Sequence, residues 1–82
     1  MVYYIRDNVT GHVLLGIGSI SRRYRAVTFA WRSWRDKEWA RRFPSIEKAK
    51  EFISKYGMVG VSIIDDTGKV VYEKDQTKPT QL

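Results

Sequence analysis

The first half of the chain alternates runs of β-favouring residues with turn-forming residues. Residues 2–5 and 12–16 are two β-rich runs, and the Asx and Gly residues over 7–11 are typical of a turn between them. Aromatic and β-branched residues crowd the stretch 24–34, which predicts a third strand. The Gly- and Ser-containing residues 16–21 would then form a flexible connection that precedes it.

The two faces of this third strand differ in chemistry. A helix over about 26–43 is the competing interpretation, but its apolar stripe ends after two turns at a run of charged residues. Because side chains alternate across a strand, one face should enter the core and the other should stay uncovered. The core face carries Val27, Phe29 and Trp31, and the uncovered face carries Tyr24, Thr28, Arg32 and Trp34. Residues 36–42 can add one helical turn that places Trp39 and Phe43 on the same side.

A helix over residues 46–56 is the clearest element of the sequence. Ser45 is a favourable N-cap, Lys55 lies in the last turn, and Gly57 supplies a left-handed stop. The apolar stripe of this helix consists of Ile46, Ala49, Phe52, Ile53 and Tyr56. The helix is therefore amphipathic, and we expect it to bury one side only.

The order of the elements predicts an α+β domain. After the helix come a strand over 58–64, a hairpin turn at 65–68 and a strand over 69–74. The resulting order β-β-β-α-β-β indicates a mainly antiparallel sheet with one amphipathic helix packed on one face. We expect residues 1–74 to form this single domain and residues 75–82 to be a loose C-terminal tail.

Positive charge is concentrated in one part of the chain. Residues 22–42 contain eight basic and two acidic side chains, whereas the other residues contain seven of each, so this segment accounts for the whole net charge of +6. It also contains seven of the eight arginines and all three tryptophans. Arginine offers a planar fork that binds phosphate or carboxylate in pairs and stacks on rings. The segment is therefore the candidate functional surface.

Few residues are available for catalysis or for holding a metal. The chain has no Cys and a single histidine, His12, so no His or Cys pair has the spacing of metal ligands. Asp65 and Asp66 precede Thr67 and Gly68, a pattern typical of a hairpin turn. We therefore expect no enzymatic activity, no cofactor and no metal site.

The sequence has neither the roughly 18-residue apolar run of a membrane span nor a secretory pattern at residues 1–7, so we expect a cytoplasmic protein with no membrane partner.

Rings interleaved with guanidinium groups are what proteins use to stack bases and neutralise phosphates. The segment therefore predicts non-enzymatic binding of nucleic acid, with DNA favoured over RNA. An acidic surface of another protein is the alternative partner, because protein interfaces also use Arg and Trp as anchors. The predicted binding residues are Arg22, Arg23, Tyr24, Arg25, Arg32, Trp34, Arg35, Trp39, Arg41 and Arg42.

Val70 and Tyr72 lie on a predicted edge strand, so a closed homodimer is a further expectation.

The residues around the helix entry resemble a known group of proteins. The pattern Ala-x-x-Phe-x-Ser at residues 40–45, the early aromatic strand at 3–5 and the turn at Gly11 are similar to small uncharacterised proteins of bacteriophages and prophages, mainly of Gram-positive hosts. The same helix entry bears a weaker resemblance to the three-stranded arm-binding domains of tyrosine recombinases, which dock a sheet on DNA. These resemblances imply a small α+β fold, a phage accessory role and the host cytoplasm as the compartment.

Overall fold

The computed structural model describes residues 1–24 and 26–74, and it contains one five-stranded antiparallel sheet with the strand order β3-β2-β1-β4-β5. The strands are β1 (Tyr3–Asp7), β2 (Val13–Ser21), β3 (Ala26–Arg32), β4 (Val61–Asp65) and β5 (Val70–Lys74). A 3₁₀ helix spans Trp34–Trp39, and α1 spans Ile46–Lys55. The predicted α+β fold and order of elements are confirmed. Arg25 and the predicted tail over 75–82 lie outside the described residues.

Helix α1 begins and ends where its capping residues predict. The Ser45 hydroxyl accepts a hydrogen bond from the Lys48 amide at 3.1 Å, which satisfies one of the free amides of the first turn. After the last turn, Gly57 adopts a φ of 61°, a conformation that a side chain would strain. Ala49, Phe52 and Ile53 are buried, so the apolar stripe of α1 faces the sheet as predicted.

The main core lies between α1 and one face of the sheet. Its buried members are Ile5, Leu14, Phe43, Ala49, Phe52, Ile53, Met58, Val61 and Ile63. Phe29 and Trp31 are half-buried and pack against this cluster, as their positions on β3 predict. The Phe52 ring lies 5.5 Å from the Phe43 ring and 4.7 Å from the Tyr56 ring, measured between centroids. Aromatic contacts therefore join α1 to the strands beneath it.

The opposite face of the sheet is covered in its middle, which the sequence did not predict. The 3₁₀ helix lies there over a second buried cluster that consists of Tyr4, Val13, Ala40 and Ile64. Trp34 is half-buried and meets the Tyr4 ring edge-on at 5.3 Å, so the expectation that Trp34 projects from an uncovered face is wrong. The Ser33 hydroxyl accepts a hydrogen bond from the Arg35 amide, which caps the 3₁₀ helix. The capped turn folds Trp34 back over the sheet.

The predicted grouping of Trp39 and Phe43 on one side of a helical turn is also wrong. Trp39 is 65% exposed, whereas Phe43 is 5% exposed and belongs to the main core. Ala40 has an extended backbone, with φ −73° and ψ 153°, so the helix ends before it reaches Phe43. The extended chain passes from the face with the 3₁₀ helix to the face with α1.

Strand β2 is longer than predicted, because it includes the glycines that suggest a flexible connection. Its pairing with β3 shifts register between Leu14 and Gly16, and again between Ile17 and Ser19. Gly16 adopts a φ of 156°, which side-chain-bearing residues rarely adopt. Bulges of this kind place an extra residue in one strand without ending the ladder. The strand therefore continues to Ser21 instead of stopping at residue 16.

Residues 41–43 separate the start of β1 from β2. Among the described residues, these two strands form one register pair, Arg6 with Val13. Beyond that pair, the Arg41 amide donates to the Leu14 carbonyl at 2.9 Å, and Tyr3 and Phe43 exchange two backbone hydrogen bonds of 2.9 Å. The inserted segment fills the gap beside β1, so the distal part of the β2–β3 hairpin has no third strand paired with it among the described residues.

Both aspartates that open a hairpin turn act through hydrogen bonds within the turn. Asp65 accepts bonds from the amide and hydroxyl of Thr67 and from the Lys69 amide, and the Thr67 hydroxyl is the main cause of a lowered pKa for Asp65. The hydroxyl of Thr10 likewise lowers the pKa of Asp7. Asp65 therefore serves the hairpin turn that its sequence predicts.

Within the described ranges, no helix has the length and apolar character needed to cross a membrane.

Candidate nucleic-acid interface

The distal part of the β2–β3 hairpin forms a two-stranded arm, which we define as residues 18–28. Its rungs pair Ser19 with Thr28, Ile20 with Val27, and Ser21 with Ala26. The base of the arm is the pair Ile17 and Phe29, and Phe29 packs on the core. At about 3.3 Å per residue, the arm reaches roughly 15 Å beyond this base.

The tip of the arm presents charge and one aromatic ring. Arg22, Arg23 and Tyr24 are exposed, and Tyr24 is 74% exposed. The Tyr24 amide donates to the Ser21 hydroxyl at 3.3 Å, which ties the turn to the end of β2. The Arg23 guanidinium lies 5.7 Å from the centre of the Tyr24 ring. Three of the predicted binding residues therefore lie together at the point farthest from the pairing with β1.

The sides of the arm are open to solvent as well. Ser19 and Thr28 join their hydroxyl groups across one face at 2.7 Å, and both residues are exposed. On the other face Ile20 is 62% exposed and Val27 is half-buried. Among the described residues, the side-chain hydrogen bonds of the arm join residues of the arm only to one another. The arm can therefore enter a groove of a partner without disturbing the core.

A second group of predicted residues surrounds the 3₁₀ helix. Arg32 donates from Nε to Asp36 at 3.1 Å, and its guanidinium lies 5.8 Å from the centre of the Trp39 ring. Arg35 is exposed on the same helix. The Asp36 carboxylate offsets the charge of Arg32, so this group is less positive than the arm tip. Its main feature is the exposed Trp39 ring.

Trp34 has contacts that favour a structural role. The Lys37 ammonium lies 4.9 Å from the centre of the Trp34 ring and donates to the Asp66 carbonyl at 2.8 Å. A Cβ at Gly68 would lie 3.7 Å from the same ring. Together with the edge contact to Tyr4, these neighbours place the indole between the sheet and the β4–β5 turn. Trp39, rather than Trp34, therefore offers an exposed indole.

The last two predicted residues, Arg41 and Arg42, line a groove beside α1. We call this concavity of about 300 Å³ the basic groove, and its lining consists of Arg41, Arg42, Phe43, Pro44, Lys48, Glu51, Phe52 and Lys55. Lys48 and Lys55 were not among the predicted binding residues. Their spacing of seven residues, two turns of one helix face, was the available signal. The arginines that face them arrive through the inserted segment, a long-range feature that helical periodicity does not reveal.

The segment that holds all the excess charge in the sequence therefore becomes three surfaces in space. They are the arm tip, the group around Trp39 and the basic groove. No ion pair or side-chain hydrogen bond among the described residues connects one of these surfaces to another. The described residues also contain no cluster of three or more His, Cys, Asp or Glu side chains that could hold a metal ion.

Comparisons of the chain with protein-family models, with curated proteins and with solved structures returned no match. The resemblance to phage proteins and to recombinase arm-binding domains therefore stays a prediction. The functional hypotheses rest on the geometry and charge of the three surfaces.

Proposed function

We propose that this protein is a phage-type accessory protein that binds nucleic acid without catalysing a reaction, in the cytoplasm of the host. The observation that supports the proposal is the arm, which holds Arg22, Arg23 and Tyr24 away from the core. Guanidinium groups at such a tip can neutralise phosphates, and the Tyr24 ring offers a surface for base or sugar contact. Arg25 adds a further positive charge to the sequence of the tip.

The shape of the arm favours DNA over RNA as its partner. The major groove of B-form DNA is wide enough to admit a two-stranded β-ribbon. The major groove of an A-form RNA duplex is deep and narrow, and side chains do not reach its floor. An arm of two strands with a cationic tip therefore fits duplex DNA better than duplex RNA.

Fluorescence anisotropy with labelled single- and double-stranded oligonucleotides tests the proposal. If the protein neutralises about four to six phosphates, the slope of log K against log salt should be roughly −3 to −5. Replacing Arg22 and Arg23 by Gln should make this slope less steep by about 1.8 on duplex DNA, because each lost phosphate contact contributes about 0.9. Binding should be stronger to DNA than to RNA of the same sequence.

A matched control removes the same charge elsewhere. Lys50 and Lys69 are exposed, and the Lys50 ammonium lies 4.5 Å from the centre of the Tyr72 ring on β5, at the edge of the sheet opposite β3. The variant with Lys50→Gln and Lys69→Gln should keep the slope of the unmodified protein. Folded protein that binds no oligonucleotide at low salt would refute the proposal. Equal weakening by both variants would show that net charge alone, and not the arm, drives binding.

The exposed Trp39 supports the alternative partner, an acidic surface of a host or phage protein. Trp and Arg are the residues that most often anchor protein interfaces, and Arg35 lies on the same 3₁₀ helix. A folded protein that fails to bind oligonucleotides but retains a partner from nuclease-treated host lysate would favour this second function.

We also propose that two copies associate through β5. The strand order places β5 at an edge of the sheet, as expected, and its Val70 and Val71 are each 37% exposed. Val71 is skipped in the pairing with β4, so the edge carries a bulge. A bulge and flanking charges disfavour open-ended pairing and leave a closed two-fold dimer as the form we expect. This edge lies opposite β3, so both arms would stay accessible.

Light scattering coupled to size exclusion tests the dimer. At micromolar loading the unmodified protein should show about twice the chain mass of 9.6 kDa, and Val71→Lys should return it to the monomer mass, because edge lysines oppose strand pairing. A mass of one chain at every loading would contradict the dimer. A dimer that persists in Val71→Lys would exclude β5 as the interface.

A further inference from the structure

The basic groove holds positive charge that its described ion pairs do not neutralise. Four of its lining side chains are cations and one, Glu51, is a carboxylate. Glu51 lies 3.7 Å from Lys48, and no ion pair among the described residues includes Arg41, Arg42 or Lys55. The groove therefore has an excess of three positive charges, four cations against one carboxylate.

Arg41 is held in position by the core beneath it. Its guanidinium lies 5.0 Å from the centre of the Phe52 ring and 5.6 Å from that of the Phe43 ring. Its backbone amide is bound to the Leu14 carbonyl. A guanidinium that rests on rings can still use its N–H groups for a bidentate contact with an anion. Because these contacts already restrict the side chain, it loses less conformational freedom when a ligand binds.

The floor of the basic groove favours an anionic backbone over a protein anchor. Phe43 and Phe52 are 5% and 9% exposed, so neither ring offers much uncovered aromatic surface to the groove. Strong protein interfaces depend on aromatic or aliphatic anchors that fill apolar pockets. A chain of phosphates needs no such pocket, because charge neutralisation and counterion release supply most of its affinity.

We propose that the basic groove binds phosphate groups of a nucleic-acid backbone as a second contact site, in addition to the arm. This inference rests on the proposed function. Arg41 and Arg42 hold a phosphate through paired N–H groups, and Lys48 and Lys55 on α1 act as point charges beside it. Two sites on one protein raise the overall affinity, since the second contact forms within an already bound complex.

Substitution of the two lysines tests the groove at little structural risk. Lys48 and Lys55 are exposed on α1, so Lys48→Gln with Lys55→Gln should leave the protein folded. The slope of log K against log salt on duplex DNA should become less steep by about 1.8, with roughly tenfold weaker binding near physiological salt. The Lys50→Gln and Lys69→Gln variant, with two fewer lysines as well, should not change the slope. Arg42→Gln is an independent variant and should reduce the slope by about 0.9.

The outcomes separate this inference from the proposed function. If the groove variants bind like the control while the arm variant weakens, the groove makes no contact and the inference fails, although nucleic-acid binding stands. If the unmodified folded protein binds no nucleic acid at low salt, the proposed function fails. A glutamate-rich peptide with the same net charge as the oligonucleotide should not displace the oligonucleotide from the groove. Displacement by this peptide would refute the preference for phosphate.

Nuclear magnetic resonance identifies the source of the phosphate. The side-chain N–H signals of Arg41 and Arg42 should shift on addition of a DNA oligonucleotide, and they should shift only slightly with inorganic phosphate or a mononucleotide at the same phosphate concentration. Saturation of these signals by inorganic phosphate, with no shift on addition of DNA, would overturn the inference.

Discussion

Replacing Phe52 by Ala is expected to lower the free energy of unfolding by about 3–5 kcal/mol, the usual cost of truncating a buried Phe. The Phe52 ring touches Phe43 from the inserted segment, Phe29 from β3 and Tyr56 at the end of α1. The substitution removes all three ring contacts and leaves a cavity between the helix and the sheet. For 82 residues the total stability should be roughly 4–12 kcal/mol, so this single change could unfold a large part of the population.

Denaturant unfolding followed by circular dichroism measures this loss. Phe52→Leu keeps an apolar side chain and should cost clearly less than Phe52→Ala, since a smaller cavity remains. Tyr24→Ala, at the exposed tip of the arm, should stay within about 0.5 kcal/mol of the unmodified protein. A loss below about 1 kcal/mol for Phe52→Ala would contradict the packing of α1 on the sheet, because truncation of a buried aromatic ring lowers the free energy of unfolding by more than this.

The elements with local signals could be predicted from the sequence. Helix α1 has a capping serine, an amphipathic stripe and a terminal glycine, and all of these act within a few residues. The β4–β5 turn likewise depends on Asp65 and its neighbours Thr67 and Gly68. Each of these features stabilises its element through contacts between residues close in the chain, so both elements could be predicted from the sequence to within a few residues.

Features that depend on distant contacts were missed. The glycines in β2 suggest flexibility, yet pairing with β3 holds them in a continuous strand through two bulges. The 3₁₀ helix packs over Tyr4 and Val13 from the first part of the chain. The partial burial of Trp34 therefore depends on long-range packing that periodicity does not encode. The basic groove combines Arg41 with Lys55 only because residues 41–43 insert beside β1. Charge counting located the segment that carries the excess charge but not its division among three surfaces.

Shortening the arm should have the largest effect on nucleic-acid binding. Ile17 and Phe29 are register partners, so a two-residue Asn-Gly turn can join them in place of residues 18–28. The described residues of this stretch are exposed or half-buried and belong to neither core cluster, so stability should change by only about 1 kcal/mol. The deletion removes Arg22 and Arg23 of the tip and also Arg25, which follows Tyr24 in the sequence. If each neutralises one phosphate, the slope of log K against log salt should become less steep by about 2.7, and affinity for duplex DNA should fall by roughly 100-fold near physiological salt.

Anisotropy titrations from about 50 mM to 200 mM salt measure this loss, and they also separate charge from shape. A full-length variant with Arg22, Arg23 and Arg25 replaced by Gln keeps the ribbon but not its cations. If neutralisation alone matters, this variant and the shortened protein should bind DNA equally weakly. If the ribbon also enters the major groove, the Gln variant should retain more affinity, because Tyr24 and the backbone of the ribbon can still contact the duplex. A folded, shortened protein that binds DNA as tightly as the unmodified one would show that the arm has no part in binding. The basic groove and the group around Trp39 would then be the remaining candidate surfaces for DNA binding.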